Sequence, residues 1–342
     1  MVRSGKPTIA DVASLAGVSV SAVSKVVNGK SGISSSTRER VLAAAAKLRW
    51  TPSATAVALR AAKTRAVGMV LRRETNLLST DPHFTLLIDG IERELAPRGY
   101  GLLLHIVGEE QLAEETAYRR LAEEGRVDGV LLTESRVGDT RFALLRDLGL
   151  PAVLVGTPWE DDPIPAVRAP HSDCGIHQAV EHLLRYGHRR IGYISGPEDR
   201  VHTHHRIRAV EEVLEEHGLG TAPSVTSGDF SPDGAVDAVR EMLAHLRPTA
   251  ILFANDSMAV AGLSTARRLG VEVPRDLSII GHDDLPMSEL VYPRLTTVRQ
   301  DLVGLGRAAA RVLLAALGEV DDGHVQVNPP ELVIRESTGP AR

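Results

Sequence analysis

Two sets of residues in this 342-residue chain have the types and spacing to do chemistry. The first follows short apolar runs: Thr133 after VDGVLL, Arg200 and His202 after GYISGPED, Phe230 after TSGD, Asn255-Asp256 after AILFA, and Asp283-Asp284 after SIIGH. Arg206 stands four residues beyond His202. Donors, acceptors and one aromatic together are the makeup of a site for a small polar molecule. Each also has a plainer use. Asn255, Asp256 and Asp283 can cap helices, Phe230 can be core, and Arg200 and Arg206 can be surface charges. Asp283 or His202 could serve in catalysis, yet neither has a partner at catalytic spacing. The run His202-Thr203-His204-His205 invites a metal, but no Cys or second cluster accompanies it, so no metal is expected. No GxGxxG or Walker A stretch opens any unit, so no cofactor is expected.

The second set is Val20, Ser21, Ala22 and Lys25, with Asn28 after them. Residues 8–28, TIADVASLAGVSVSAVSKVVN, carry apolar residues at helical spacing on both sides of Gly17-Val18-Ser19. The Gly can end one helix in the left-handed conformation, and Ser19 can cap the next. Small Ala13 and branched Val23 suit a close crossing. This is a helix-turn-helix, whose second helix enters the major groove of DNA. There Lys25 can donate to guanine and Val20 can meet a thymine methyl. Thr8, Ser19, Ser24 and Asn28 are placed for phosphates, which set position and carry no sequence information. The spacing Ser36-Thr37-Arg38-Glu39 predicts a capping box opening a third helix.

Charge and patterning divide the chain in the same place. Residues 1–65 hold eleven Lys/Arg against Asp11 and Glu39, a net +9, so with -5 overall the remainder carries -14. A basic head suits contact with phosphates, and an acidic body repels the duplex. Beyond Arg65, β-type runs (AVGMVL, GLLLHIV, VDGVLLT, PAVLVG, RRIGYISG, VTSGDF, AILFAND, LSIIGHDD) alternate with amphipathic helical segments. Parallel sheets covered by helices follow, and so many units predict two α/β lobes. Ligands of such sheets bind off the carboxyl ends of the strands, where the first set of residues stands. The single Cys174 excludes an internal disulfide and fits a reducing compartment. MVRSGKPTIA lacks an apolar signal region and no run approaches membrane-spanning length, so a cytoplasmic, nucleoid-associated protein is expected.

The segments TIADVASLAGVSVSAVSKVVNGK, SSSTRERVLAAAAKL, PSATAVALR and TRAVGMVL resemble the LacI/GalR family of bacterial transcription repressors, and the match continues almost to the C-terminus. The resemblance implies an all-α helix-turn-helix DNA-binding head (1–51), a hinge helix and linker (52–64), and an α/β two-lobed, periplasmic-binding-protein-like effector and dimerisation domain (65–342). One lobe would comprise about 65–167 and 297–325, the other about 168–296 and 326–342. Crossovers would fall near 167–171, 292–298 and 325–332.

The resemblance gives base-reading roles to Val20, Ser21 and Lys25, the last a departure from the usual Arg or His, since Lys lacks the planar fork of Arg. Leu59 matches the hinge residue that wedges between base pairs, with Ala56 beside it. For the effector it implies Arg206, Arg200, His202, the stacking aromatic Phe230, Asp283, Asn255, and His83 with Phe84 in the loop closing over the ligand. The implied function is that of a repressor, a homodimer on a near-palindromic DNA operator. Its affinity for that operator would be set allosterically by a small polar effector, by family default a sugar. A carboxylate, a phosphate or a purine would also suit Arg200 with Phe230. After GEVDDGHVQVNPPELVIREST only GPAR remains, so no tetramerising helix is expected. Read instead as a solute-binding protein, the chain would need a signal peptide and have no use for its basic head; read as a cytosolic α/β sugar-binding or sugar-processing enzyme, it would need a catalytic group, and Asp283 and His202 have no evident partner.

Overall fold

Thr8 opens the first helix, α1 (Ile9–Ala16), with a full capping box: its hydroxyl accepts from the Asp11 amide, and the Asp11 carboxylate accepts from the Thr8 amide at 2.7 Å. Gly17 ends the helix at φ 63°, which glycine adopts without the Cβ penalty. Ser19 Oγ accepts from the Ala22 amide at 3.1 Å and opens α2 (Val20–Val27). The pair bends by 103°. Within the bend Val12, Ala13, Ala16, Val23 and Val26 are buried with Val41 and Ala44 of α3 (Ser35–Lys47). Helix α3 starts earlier than the expected box at Ser36. Ser34 is the last residue with extended backbone, and its Oγ accepts from the Thr37 amide at 3.3 Å, so Ser36 is already inside the helix.

The structure, a computed structural model, describes residues 6–27, 31–51, 63–72, 82–108, 110–160, 164–219, 224–227, 229–321 and 324–342. Asn28, Ala56 and Leu59 lie outside the described residues. The chain divides into two compact units, Met1–Thr64 and Arg65–Arg342. No single described helix is long and apolar enough to cross a membrane.

The second unit holds two sheets. Strands β1 (Ala66–Arg72), β2 (Gly101–Val107), β3 (Gly129–Leu132), β4 (Ala152–Val155) and β5 (Ala166–Val167) run parallel in the order β2-β1-β3-β4-β5. Strands β6 (Ile191–Ser195), β7 (Ser224–Ser227), β8 (Ala250–Phe253), β9 (Ser278–Asp283), β10 (Thr296–Arg299) and β11 (Glu331–Val333) form the order β11-β10-β9-β8-β6-β7, with only the β10–β11 pair antiparallel.

Helices follow as α4 (His83–Leu95), α5 (Gln111–Glu123), α6 (Arg141–Asp147), α7 (Cys174–Arg185), α8 (Val201–Glu216), α9 (Pro232–His245), α10 (Asp256–Arg268), α11 (Met287–Leu290) and α12 (Leu302–Ala316). They cover both faces of each sheet, which is why most strands read as unbroken apolar runs. Leu87, Ile91, Leu305 and Leu313 seal one face of the first sheet, and Tyr118, Leu121 and Leu145 the other. In the second sheet Val180 and Val210 lie on one face and Val239 and Met258 on the other.

Three passages join the lobes, through 168–173, at Gln300-Asp301, and between α12 and β11. The second comes later than the expected 292–298. Thr297, Val298 and Arg299 pair with Gly281, His282 and Asp283 of β9, so they complete the second sheet and do not begin the return to the first lobe. Asp301 fastens this passage to the third: Oδ1 accepts from the Gly304 amide at 2.8 Å, and Oδ2 accepts from the Asn328 amide at 3.1 Å and side chain at 2.9 Å. Cys174 Sγ, at the end of the first passage, lies 2.8 Å from the Pro330 carbonyl of the third.

Candidate functional site

On α2 the buried Val23 and Val26 fix which face turns outward. Val20 (45 % exposed), Ser21 and Lys25 stand on that face, with Ala22 and Ser24 half-buried at its margins. A branched apolar group beside a lysine offers one methyl contact and one donor to base edges. The capping residues Thr8 and Ser19 sit at helix N-termini, where backbone amides and the helix dipole favour an anion such as phosphate.

In the second unit, residues following the strands' carboxyl ends enclose a cavity of about 180 Å³ between the lobes. The first lobe supplies Thr133, Glu134 and Ser135 after β3, Gly156 and Thr157 after β4, and His83, Phe84 and Leu87 from α4. The second supplies Phe230 after β7, Asn255 after β8, His282 and Asp283 at the end of β9, and His202, His205 and Arg206 from α8. Arg168, Ser172 and Asp173 of the first passage and Gln300 of the second complete the wall.

Eight of the nine expected effector residues therefore meet in one place: His83, Phe84, Thr133, His202, Arg206, Phe230, Asn255 and Asp283. Arg200 does not. Its guanidinium donates to Asp199 at 2.7 Å and lies 3.8 Å from Glu134, and its backbone forms an antiparallel bridge with Arg136. Val137 donates to the Asp199 carbonyl and Val201 to the Ser135 carbonyl, each at 3.0 Å, so this stretch clasps the lobes beside the cavity.

Phe230 is held from three sides. Its backbone sits at φ 67°, and Asn255 Nδ2 donates to its carbonyl at 3.1 Å, while Asn255 Oδ1 caps α10 by accepting from Met258 at 2.7 Å. Asn255 is thus a cap, as its plainer reading has it, and also an anchor. The ring lies over Gly196, where a Cβ would fall inside the ring's van der Waals envelope. Across the cavity wall His202 stacks on it, with centroids 5.6 Å apart and planes 25° apart.

Asp283 accepts from Gln300 Nε2 at 2.5 Å, and His83 Nδ1 lies 3.5 Å away. Burial alone would raise its pKa, but the His83 side chain and the Arg206 guanidinium outweigh that and hold it at about 2. Burial, followed by Arg206, pushes His282 down to about 3 and His202 well below its ordinary value, so both imidazoles are neutral. Arg206 donates to the Ala254 carbonyl at 2.9 Å. Asp256 is absent from the cavity wall. It accepts from the Leu285 amide and Ser288 hydroxyl at 2.7 Å and from the Thr297 hydroxyl at 2.6 Å, and burial, then the Asp283 charge, lifts it to about 7. Among the described residues no group of three or more His, Cys, Asp or Glu is placed to hold a metal ion.

Known proteins share both parts of this architecture. Residues 8–53 match the bacterial regulatory proteins of the lacI family, and residues 180–338 match a periplasmic binding protein-like domain. The HTH-type transcriptional repressor PurR of Photobacterium profundum is 34% identical over 335 residues, covering 96% of this chain and 98% of that protein. The lac repressor dimer bound to operator and the anti-inducer ONPF superposes with a TM-score of 0.84 at 28% identity, covering 98% of this chain and 100% of that one. The transcriptional regulator CelR in complex with cellobiose gives 0.72 at 32% identity, covering 97% and 99%.

Proposed function

The chain belongs to the lacI family of bacterial regulatory proteins and is a DNA-binding transcriptional repressor, and on that premise we propose that its hold on operator DNA is set by a sugar bound between the lobes. The enzyme alternative falls away, since the relatives are repressors.

The observation that carries the sugar reading is the trio of Asp283, Arg206 and Phe230 on one cavity wall. A buried carboxylate ionised at any physiological pH accepts hydrogen bonds only, a guanidinium donates only, and a hydroxylated ring satisfies both at once. The stacked Phe230 and His202 rings give the wall an apolar surface for the C–H side of the sugar ring. The complex of the similar CelR with cellobiose is consistent with this.

Coupling requires that the sugar interact differently with two arrangements of the lobes. His83 and Asp283 come from opposite lobes, so a ligand that takes over Asp283 alters a contact that now spans them. On DNA, Val20, Ser21, Ala22 and Lys25 face base edges, and Thr8, Ser19 and Ser24 hold phosphates. Asn28, and Ala56 with Leu59 of the hinge, belong to the same proposed interface. A homodimer on a near-palindromic operator follows from the symmetry such repressors share with their sites, and a repressor that binds DNA would work in the cytoplasm.

A thermal-shift screen of sugars, sugar phosphates, nucleobases and organic acids, repeated with Arg206→Ala, tests the reading. A sugar should raise the melting temperature of the wild type and not of the variant, and should change operator affinity in a gel-shift assay. A nucleobase or organic acid as the sole binder would refute the sugar assignment.

A further inference from the structure

We propose that the cavity continues into a second-ring subsite formed by Trp159 and His204, so that the effector is a disaccharide or longer glycan whose end ring fills the cavity. The proposal rests on the sugar reading above and adds the effector's length. Trp159 follows Gly156 and Thr157 of the cavity wall, separated from them only by Pro158. It is nevertheless 44 % exposed, which leaves a large aromatic surface in water at a place where a hydrophobic contact is worth having. Its ring centroid lies 5.2 Å from that of His204. The His204 ring is pinned by a 2.6 Å hydrogen bond between Nε2 and the Glu198 carbonyl, and its neighbour His205 lines the cavity. One ring from each lobe therefore stands within two residues, along the chain, of the cavity wall, without itself lining it.

Size separates the two places. A cavity of about 180 Å³ holds roughly six waters at the ~30 Å³ each takes up in the liquid. That is about the space of one hexose ring, so a second ring has to lie at the mouth. There an indole face can cover the C–H side of a pyranose, while the exposed Arg168 and His205 side chains, both on the cavity wall, offer donors to its hydroxyls. Trp159 and His204 touch across the two lobes, so a ring laid against the exposed part of the indole would bear on that contact and hence on how the lobes sit.

Isothermal titration of the full chain with glucose and galactose, and with cellobiose, maltose and lactose, is repeated with Trp159→Ala and Trp159→Phe. At least one disaccharide should bind about tenfold tighter than its component monosaccharide. Trp159→Ala should remove that advantage and leave monosaccharide affinity within about twofold, whereas Trp159→Phe should keep most of it. Indole fluorescence should change with the disaccharide and lose that change in the Ala variant, although Trp50 remains. A monosaccharide that binds as tightly as every disaccharide, or a disaccharide whose affinity survives Trp159→Ala, overturns the second-ring subsite and leaves the sugar reading standing. Failure of every sugar to bind overturns both.

Discussion

Replacing Asp256 with Asn exposes how the floor behind the cavity is held. The carboxyl of Asp256 is buried and receives three donors, from Leu285, Ser288 and Thr297, yet burial and the nearby Asp283 charge raise its pKa from 3.8 to about 7. A raised pKa means that the folded chain holds the proton more tightly than the unfolded chain. The stability it contributes is therefore fully present below about 3.8 and is lost as pH rises through 7. A pKa higher by about three in the folded chain corresponds to roughly 4 kcal/mol in total, of which roughly 3 kcal/mol falls between pH 5 and pH 8. Asn cannot ionise and lacks this slope. Its carbonyl oxygen keeps the Leu285 and Ser288 bonds, which share one carboxylate oxygen, while its amide faces the Thr297 hydroxyl, which must turn to accept, at a cost of about 1 kcal/mol. Urea unfolding of both proteins at several pH values gives the difference in stability, in which the other titrating groups cancel. The variant should gain on the wild type by roughly 3 kcal/mol from pH 5 to pH 8. A difference that stays flat would show that the three donors keep Asp256 ionised throughout, and would refute the reasoning.

Two further changes test the two binding faces. Lys25→Ala should weaken operator binding by about 1–3 kcal/mol with a smaller effect on a random duplex. In fluorescence anisotropy at several salt concentrations, a uniform loss with a shallower salt slope would instead make Lys25 a phosphate contact. Gly196→Ala drives a methyl into the Phe230 ring, so the ring must leave its place. Denaturant unfolding should show a loss of about 1–3 kcal/mol, together with weaker effector binding, and unchanged stability would mean that the ring is not seated there.

The helix-turn-helix was legible because its geometry depends on three residue types at fixed places. Ala13 is small enough for the crossing, Gly17 takes the positive φ, and Val23 fills the gap. Six of the eight runs, β1, β3, β4, β6, β8 and β9, were legible as strands because burial on both faces leaves no alternation to misread. The three further strands, β5, β10 and β11, have two to four residues each and give no periodic signal. Missing β5 and β10 hid Arg168 and Gln300, which follow them directly and which the strand-end rule would otherwise have found. His282 was missed for a different reason: it lies inside β9, where a polar residue reads as an interruption of the core. Arg200 and Arg206 look alike in sequence. What separates them is a backbone bridge between residues 64 positions apart, Arg136 and Arg200, which no local pattern encodes.

The ties made by Asp301 and Cys174 bear on mechanics. Three separate connectors between two bodies would each bend where their own backbone is softest, and the bodies could twist, shear or open along several paths. Here Asp301 grips the second connector and the third with one carboxylate, and Cys174 ties the first to the third through Pro330. Bending any one of them pulls on the others. The three connectors are therefore coupled, and any movement of the lobes that bends one of them must carry the others along or break the Asp301 or Cys174 tie.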